Sequence, residues 1–387
     1  MNTRPAIESS SNPSALSASF NQDASCFAIG LDTGFCIFDS EPCQLRVSRD
    51  FNAGIGAVQM LGKANFIALI GGGKLPKFPQ NKVIIWDDAK QKVAIQLPVL
   101  TAVRGVRLSR THIVVALQNS IRVYKFQSPP DLWAVFETAD NPHGLCCLTS
   151  KTLAFPGRTP GQVQLVELST GNVSIIPAHT SSLRAIDISQ DGEVLATASE
   201  TGTLIRIFAT SNCARITEKR RGVDHATIFS LAISPSGQLL AVTSDKSTLH
   251  IFDIPHPSKP ARSASPNRRL TTMGNGGGSP VTDGEVGQKW GILSRIPLLP
   301  RVFSDDYSFA SVHFEIGDEP LYGGSTPLNS EEAFRPPKGI IGWTSDHSII
   351  VIGAGRDGRW EKFVIAEGED GKRYCVRDGW KRYLGAN

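Results

Sequence analysis

This 387-residue sequence has no apolar run approaching the roughly 20 residues that a helix needs to span a bilayer. Its opening, MNTRPAIESSSNPS, lacks an apolar h-region, so no signal peptide is expected. No G-x-S-x-G and no H-E-x-x-H occurs, which removes the nucleophile-elbow and zinc-protease signatures. The seven cysteines form no C-x-x-C pair and are odd in number. A disulfide framework or a zinc site is therefore not expected, and reduced core thiols are. Net charge is scarce too. At +4 the whole molecule has little attraction for nucleic acid or membrane, so nucleic acid is not an expected partner. Any anion site must come from local clustering of Arg and Lys. Asn172-Val173-Ser174 fits a glycosylation acceptor, but without secretion the match is chance. What remains, 40% hydrophobic and 20% charged, suits a globular cytoplasmic protein.

The positive signal is repetition. Seven segments share one plan: a turn, an apolar strand, a turn of small residues, then a β-rich strand that mostly closes on an aromatic. They begin FNQDASCFAIGLDTGFCIFD at Phe20 and recur from Gly62, Ser109, Thr149, Ser189 and Ser234, with the last, TSDHSIIVIGAGRDGRWEKFVI, at Thr344. The closing positions Phe38, Trp86, Tyr124, Val166, Phe208 and Phe252 are 48, 38, 42, 42 and 44 residues apart. Periods near 40–45 residues built from β-units predict an all-β, seven-bladed, WD40-like propeller. Residues 1–15 read as a flexible tail and 16–387 as one propeller.

The seventh closing position, Phe363, falls 111 residues after Phe252, one blade plus about 65. Residues 255–288 are rich in Pro, Gly and Ser and read as a disordered loop inserted in blade six. Lys289 to Phe303 is apolar and basic. Its two readings are a bilayer-interface segment and the packed outer strand of blade six.

Arg220 and Arg221 are neighbours in a predicted strand, followed by Gly222. Successive strand side chains point to opposite faces, so the two would serve one pocket on each side. Gly222 would let the backbone turn or a ligand approach. A matching hairpin lies on each flank: Ser199-Glu200-Thr201-Gly202-Thr203 with Arg206, and Ser244-Asp245-Lys246-Ser247-Thr248 with His250. Hydroxyls and turn N–H groups there would donate to phosphate oxygens, with Arg adding bidentate charge. Read from spacing alone, solvated arginines and ordinary turn hydroxyls remain the alternative.

At these residues the sequence resembles the PROPPIN (WIPI-type) family. The family pattern is F/L-R-R-G followed by a blade ending S-D-x-x-T-x-H-x-F; here stand KRRG at Lys219 to Gly222 and SDKSTLHIF from Ser244. GGGKLPKFPQNKVIIWDD from Gly71, LAFPGRTPGQVQLV from Leu153 and IPAHTSSLRAI from Ile176 fit the branch of the WIPI three and four paralogues and fungal Hsv-two proteins. The resemblance implies a non-enzymatic, monomeric propeller that binds phosphatidylinositol 3-phosphate and the 3,5-bisphosphate. It implies peripheral docking on autophagosomal precursor, endosomal or vacuolar membranes, with the 255–288 loop of blade six facing the membrane. It also implies binding of the large autophagy lipid-transfer protein through loops of blades two and three. The first pocket would comprise Thr197, Ser199, Gly202, Thr203, Arg206 and Arg220, bordered by His179 and Thr180. The second would comprise Arg221, Gly222, Ser244, Lys246, Thr248 and His250. Protonation of His250 would strengthen binding between pH 7.5 and 5.5.

Three departures stand out. Lys219 replaces the apolar residue before RRG, which puts the local register in question, and Thr197 stands where Ser is common. Arg206 lies three residues after Thr203, whereas His250 lies two after Thr248, so Arg206 needs a local bulge to face its pocket. Gly353 to Gly358 fits G-x-G-x-x-G, but strand-like residues on both sides predict a hairpin turn. No metal, cofactor or catalytic cluster is expected. The competing function is a WD-type scaffold that binds only proteins.

Overall fold

Each repeated unit becomes the middle hairpin of one four-stranded blade. In blade one these strands are Cys26–Leu31 and Gly34–Asp39; in blade seven they are Ser348–Gly353 and Arg359–Glu367. The computed structural model describes residues 13–260, 306–317, 337–369 and 371–384. Among them every regular element is a strand, and the strands form seven sheets. The first strands of neighbouring blades lie side by side all the way round, so the sheets close into a propeller.

The second strands show why the apolar units were so visible. Cys26–Leu31, Val194–Ser199 and Leu239–Ser244 are buried at every position. A blade is covered on both faces by its neighbours, so these strands read as continuous apolar runs rather than alternating ones. The core is accordingly split into seven wedges between blades. On one face of blade five, Leu195 and Phe208 meet Ala154, Val163 and Leu165 of blade four. On the other face, Ala196, Ile205 and Ile207 meet Leu240, Val242 and Phe252 of blade six.

Blade six recruits its outermost strand from beyond the insertion: Ala310–His313 pairs with the third strand, Thr248–Asp253. Lys289 to Phe303, for which an outer strand was one reading, lies outside the described residues. Just before Ala310, Asp306–Tyr307 runs parallel to Arg215–Arg220 and adds a fifth strand to blade five. The near end of the expected loop is held down. His256 is buried with Nε2 2.9 Å from Asp191 Oδ2, and Lys259 Nζ lies 3.0 Å from the same carboxylate and 2.6 Å from Ser236 O. Residues 255–260 thus pack on blades five and six, and 261–288 lie outside the described residues. At the N-terminus, Ala15 is fully buried and opens the first strand of blade one, so the expected 1–15 tail overlaps the propeller by that residue.

Among the described residues no strand is exchanged at closure: blade one uses residues 15–50 and blade seven residues 340–382. Ala15 and Gly355 exchange both backbone hydrogen bonds, at 3.1 and 2.9 Å. Trp360 Nε1 donates to Ser40 O at 3.0 Å. Tyr383 packs its ring 5.6 Å from Phe27 and 5.5 Å from Phe38, and its hydroxyl donates to Gly353 O at 2.6 Å. With no shared sheet, side-chain packing must hold this seam. Tyr383→Ala should lower stability in urea by about 2–4 kcal/mol, below the full cost of a buried ring because Tyr383 is only partly buried. Tyr383→Phe should lose about 1 kcal/mol, the worth of one hydrogen bond. Equal losses for the two would show that packing does not hold the seam.

Candidate functional site

The two hairpins differ by one residue, and that residue positions Arg206. In blade six, three residues separate Ser244 from Thr248; in blade five, four separate Ser199 from Leu204. Both turns bend through a left-handed residue, Gly202 (φ +63°) and Ser247 (φ 57°). Thr203 is the extra residue. The strand after it therefore starts one step later, and Arg206 faces Thr197 as His250 faces Val242. The expected bulge before Arg206 is absent; the longer turn replaces it. The equivalent of Thr248 is consequently Leu204, not Thr203.

Arg215–Arg220 is the outermost of the hairpin-connected strands of blade five. Its register runs unbroken from Leu204 opposite Arg220 to Ile207 opposite Thr217. Lys219 does not disturb it: the residue is 4% exposed and stands opposite Ile205. Its aliphatic stem serves where the family pattern has an apolar side chain. By alternation Glu218 and Arg220 share the face of Arg206, toward blade four.

On that side Arg206 is already engaged. Its Nε donates to Glu218 Oε2 at 2.7 Å and its Nη1 to Ala178 O at 2.6 Å. Arg215 reaches the same carboxylate oxygen at 3.2 Å. Thr197, fully buried, donates to Arg206 O at 3.2 Å, so His179 Nε2, 3.0 Å away, must donate to the Thr197 oxygen. Burial, and then the charge of Arg206, push the His179 pKa down to about 4, leaving a neutral ring with this tautomer. Ser199 bonds Thr201 at 2.9 Å, and Thr180 is exposed at the rim. Arg220 is half-buried, with Nη1 3.5 Å from Gly222 O.

Gly202 plays a different part from the one expected. Its N–H donates within the turn to Ser199 O at 3.0 Å. Its carbonyl accepts Arg221 Nε at 2.7 Å, on the way to the other cluster. A Cβ on Gly202 would lie 1.8 Å from Ala226 O, so only glycine fits. Gly222 is the opposite case: a Cβ there meets nothing within 4 Å, and its backbone φ is not positive.

On the blade-six side Arg221 is 8% exposed, with Nη2 donating to Asp224 O at 2.5 Å. Burial lowers its pKa, and the carboxylates of Asp245 and Asp224 oppose that. Ser244 is fully buried and accepts Lys246 N at 3.4 Å, while the Lys246 side chain is exposed. Thr248 Oγ1 is buried and has no hydrogen-bond partner. His250 Nδ1 lies 3.1 Å from Ser308 Oγ. Burial first, then the charge of Arg221, push its pKa down to about 4. His250 is thus neutral throughout pH 5.5–7.5, which corrects the expected protonation in that range. Glu218, Thr201, Asp245 and Ser308 join the clusters although sequence reasoning passed over them as ligand-site residues. Alternation from Arg220 would have found Glu218; nothing local points to Ser308.

Elsewhere, a cleft of about 260 Å³ opens on blade three, lined by Leu100, Arg104, Gln118 and Arg122 among others. The Nε atoms of both arginines are buried without partners. Gly353 to Gly358 lies between the second and third strands of blade seven, a hairpin connection as its flanks predict.

A seven-bladed propeller carrying two adjacent arginines that serve opposite sides of one blade is a particular kind of binding platform. The chain belongs to the PROPPIN family, whose members are phosphoinositide-binding propellers: the PROPPIN family model matches residues 15–275. It is 64% identical to SVP1-like protein 2 of Emericella nidulans over 84% of this chain and 99% of that one. With SVP1-like protein 2 of Neurospora crassa it shares 49% identity over 100% and 99% of the two chains. Its fold matches Kluyveromyces lactis Hsv2 with a TM-score of 0.72 at 23% identity, covering 96% of this chain and 99% of that one.

The glycine geometry yields a paired expectation. Gly202→Ala should cost at least about 1–3 kcal/mol from the left-handed backbone alone, before its clash with Ala226 O. Gly222→Ala should change urea stability by less than about 0.5 kcal/mol, as at an unconstrained surface site. The reverse order would refute the assigned roles.

Proposed function

We propose that this chain is a phosphoinositide effector. It docks on membranes by holding the headgroups of phosphatidylinositol 3-phosphate and the 3,5-bisphosphate in the clusters on the two sides of blade five. One observation carries the reading: the buried Thr248 hydroxyl lacks a partner, on the same strand face as His250, where the charge of Arg221 acts. Buried polar groups are nearly always hydrogen-bonded, so such a hydroxyl marks the place of a missing partner. Arg221 spends two of its donors on Gly202 O and Asp224 O, out of the five a guanidinium carries. A phosphate oxygen would take a remaining donor and the threonine hydroxyl together. Charge-assisted bonds of this kind contribute about 1.5–3 kcal/mol each. Two modest sites on one surface then add avidity.

The clusters are not equivalent. On the blade-four side Glu218 pairs with Arg206 at 2.7 Å, and on the blade-six side Asp245 and Asp224 act on Arg221, so an entering phosphate meets carboxylates in both. On the blade-six side the headgroup completes what the fold leaves unfinished. The chain acts as a monomeric, cytoplasmic, non-enzymatic scaffold, peripheral on autophagosomal precursor, endosomal or vacuolar membranes. The blade-three cleft supports a separate protein contact. Exposed Leu100 with Arg104 and Arg122 suits an acidic segment with apolar side chains, and the large autophagy lipid-transfer protein is the proposed partner.

Flotation with vesicles carrying the 3-phosphate lipid tests this. Wild type should float, and Arg220→Ala plus Arg221→Ala should not; equal flotation would leave only a protein scaffold. Thr248→Val is the sharper variant. It should weaken headgroup binding several-fold while raising stability by up to about 1 kcal/mol, since it removes an unsatisfied buried hydroxyl. Because His250 stays neutral, the ratio of wild-type to His250→Gln binding should be constant from pH 5.5 to 7.5. Arg104→Glu plus Arg122→Glu should leave flotation intact and abolish capture of the lipid-transfer protein; retained capture would move the partner off this cleft.

A further inference from the structure

Arg221 leads into a short linker between the outermost hairpin strand of blade five and the first strand of blade six, Ile228–Ile233. Val223 stands in this linker with 61% of its surface exposed, followed by exposed Asp224 and His225. An exposed valine alone needs no explanation. Its setting does. The linker is fastened from both ends: Arg221 N donates to Thr203 O at 2.9 Å and Ala226 N to Thr201 O at 3.4 Å. The arginines fasten it again, through Nη2 of Arg221 on Asp224 O and Nη1 of Arg220 near Gly222 O. Open space surrounds Gly222, where an added Cβ would touch nothing within 4 Å. An apolar side chain is thus held out from the rim between the two cationic clusters, by the same guanidinium groups that define them.

A second apolar group shares this edge. Tyr307, 46% exposed, is bridged in parallel to Arg220. A tyrosine ring suits the headgroup level of a bilayer, where one end is apolar and the other wet.

We propose that Val223 is a bilayer contact: the tip of the Gly222–His225 linker enters the headgroup layer between the two bound phosphates, with Tyr307 beside it. This rests on the phosphoinositide reading above. Charge complementarity selects the occupant. Arg220 and Arg221 hold the linker that carries the apolar tip, and Lys246 is exposed in the Ser244–Thr248 turn of blade six, which matches a surface of anionic headgroups over acyl chains. Asp224 fits beside it because its carboxylate acts on Arg221 within the same turn.

The experiment compares Val223→Asp and Val223→Leu with wild type. Two probes are used: soluble inositol 1,3-bisphosphate by calorimetry, and phosphatidylcholine vesicles with a few per cent phosphatidylinositol 3-phosphate by flotation. Val223→Asp should bind the soluble headgroup as wild type does and lose about tenfold or more in vesicle affinity, because interfacial binding scales with buried apolar area. Val223→Leu should bind vesicles at least as tightly as wild type. Unchanged vesicle affinity for Val223→Asp overturns the proposal, as do equal losses on both probes. Loss of protein capture with vesicle binding intact overturns it in favour of a protein partner. If wild type binds neither probe, the phosphoinositide reading itself fails and this inference goes with it.

Discussion

Two consecutive side chains on a β-strand point to opposite faces, and in a propeller those faces belong to different gaps. Everything proposed for this molecule depends on that constraint acting on one strand, Arg215–Arg220, and the residue after it. A diarginine elsewhere would be a patch of charge. Here Arg220 joins the face that carries Arg206 and Glu218, while Arg221 turns to blade six and acts on His250 and Asp245. Proximity in sequence becomes separation in space.

A buried guanidinium is costly unless its donors are matched. Arg221 is matched largely by backbone. Gly202 supplies its carbonyl only because that turn adopts a left-handed conformation closed to other residues by Ala226 O. The glycine of one hairpin thus serves the arginine of the opposite cluster, which couples the two sides of blade five mechanically. Arg206 is matched instead by Glu218, a side chain that a phosphate must displace or tolerate. The near-symmetry of the two hairpins therefore conceals a chemical difference: one arginine is held by a side-chain carboxylate, the other largely by backbone carbonyls.

The seven hairpins were legible because second strands covered on both faces must be apolar at nearly every position, and that signal survives without knowledge of the fold. The diarginine was legible through alternation alone. The turn lengths were not. Ser199 to Thr203 and Ser244 to Thr248 have the same spacing, and only the pairing of Ala198 with Ile205 and Thr243 with Leu249 shows that Thr203 is an added turn residue. Ser308 was hidden by distance: it reaches His250 from 58 residues away, across the insertion. The neutrality of His250 was hidden as well, since its cause is burial beside Arg221, a property of packing rather than of order along the chain.

The placement of that insertion completes the logic. The chain departs after the third strand of blade six and returns as the fourth, so it interrupts neither of the wedges that hold blade six in the ring. Loop-closure entropy grows only slowly with length, so a long excursion at an outer strand costs the fold little. Its ends are not passive. The departing end is held by His256 and Lys259 on Asp191 of blade five. The returning end pairs Tyr307 with Arg220 and sets Ser308 on His250. Only the returning end finishes on the second cluster; the departing end is held a strand length away, at the turns that precede Val194–Ser199 and Leu239–Ser244. A force that pulls its returning end away from the rim acts first on the Ser308 contact and on the strand edge at Arg220. The returning end thus reaches the diarginine strand and His250 directly, through the Tyr307 bridge and the Ser308 contact.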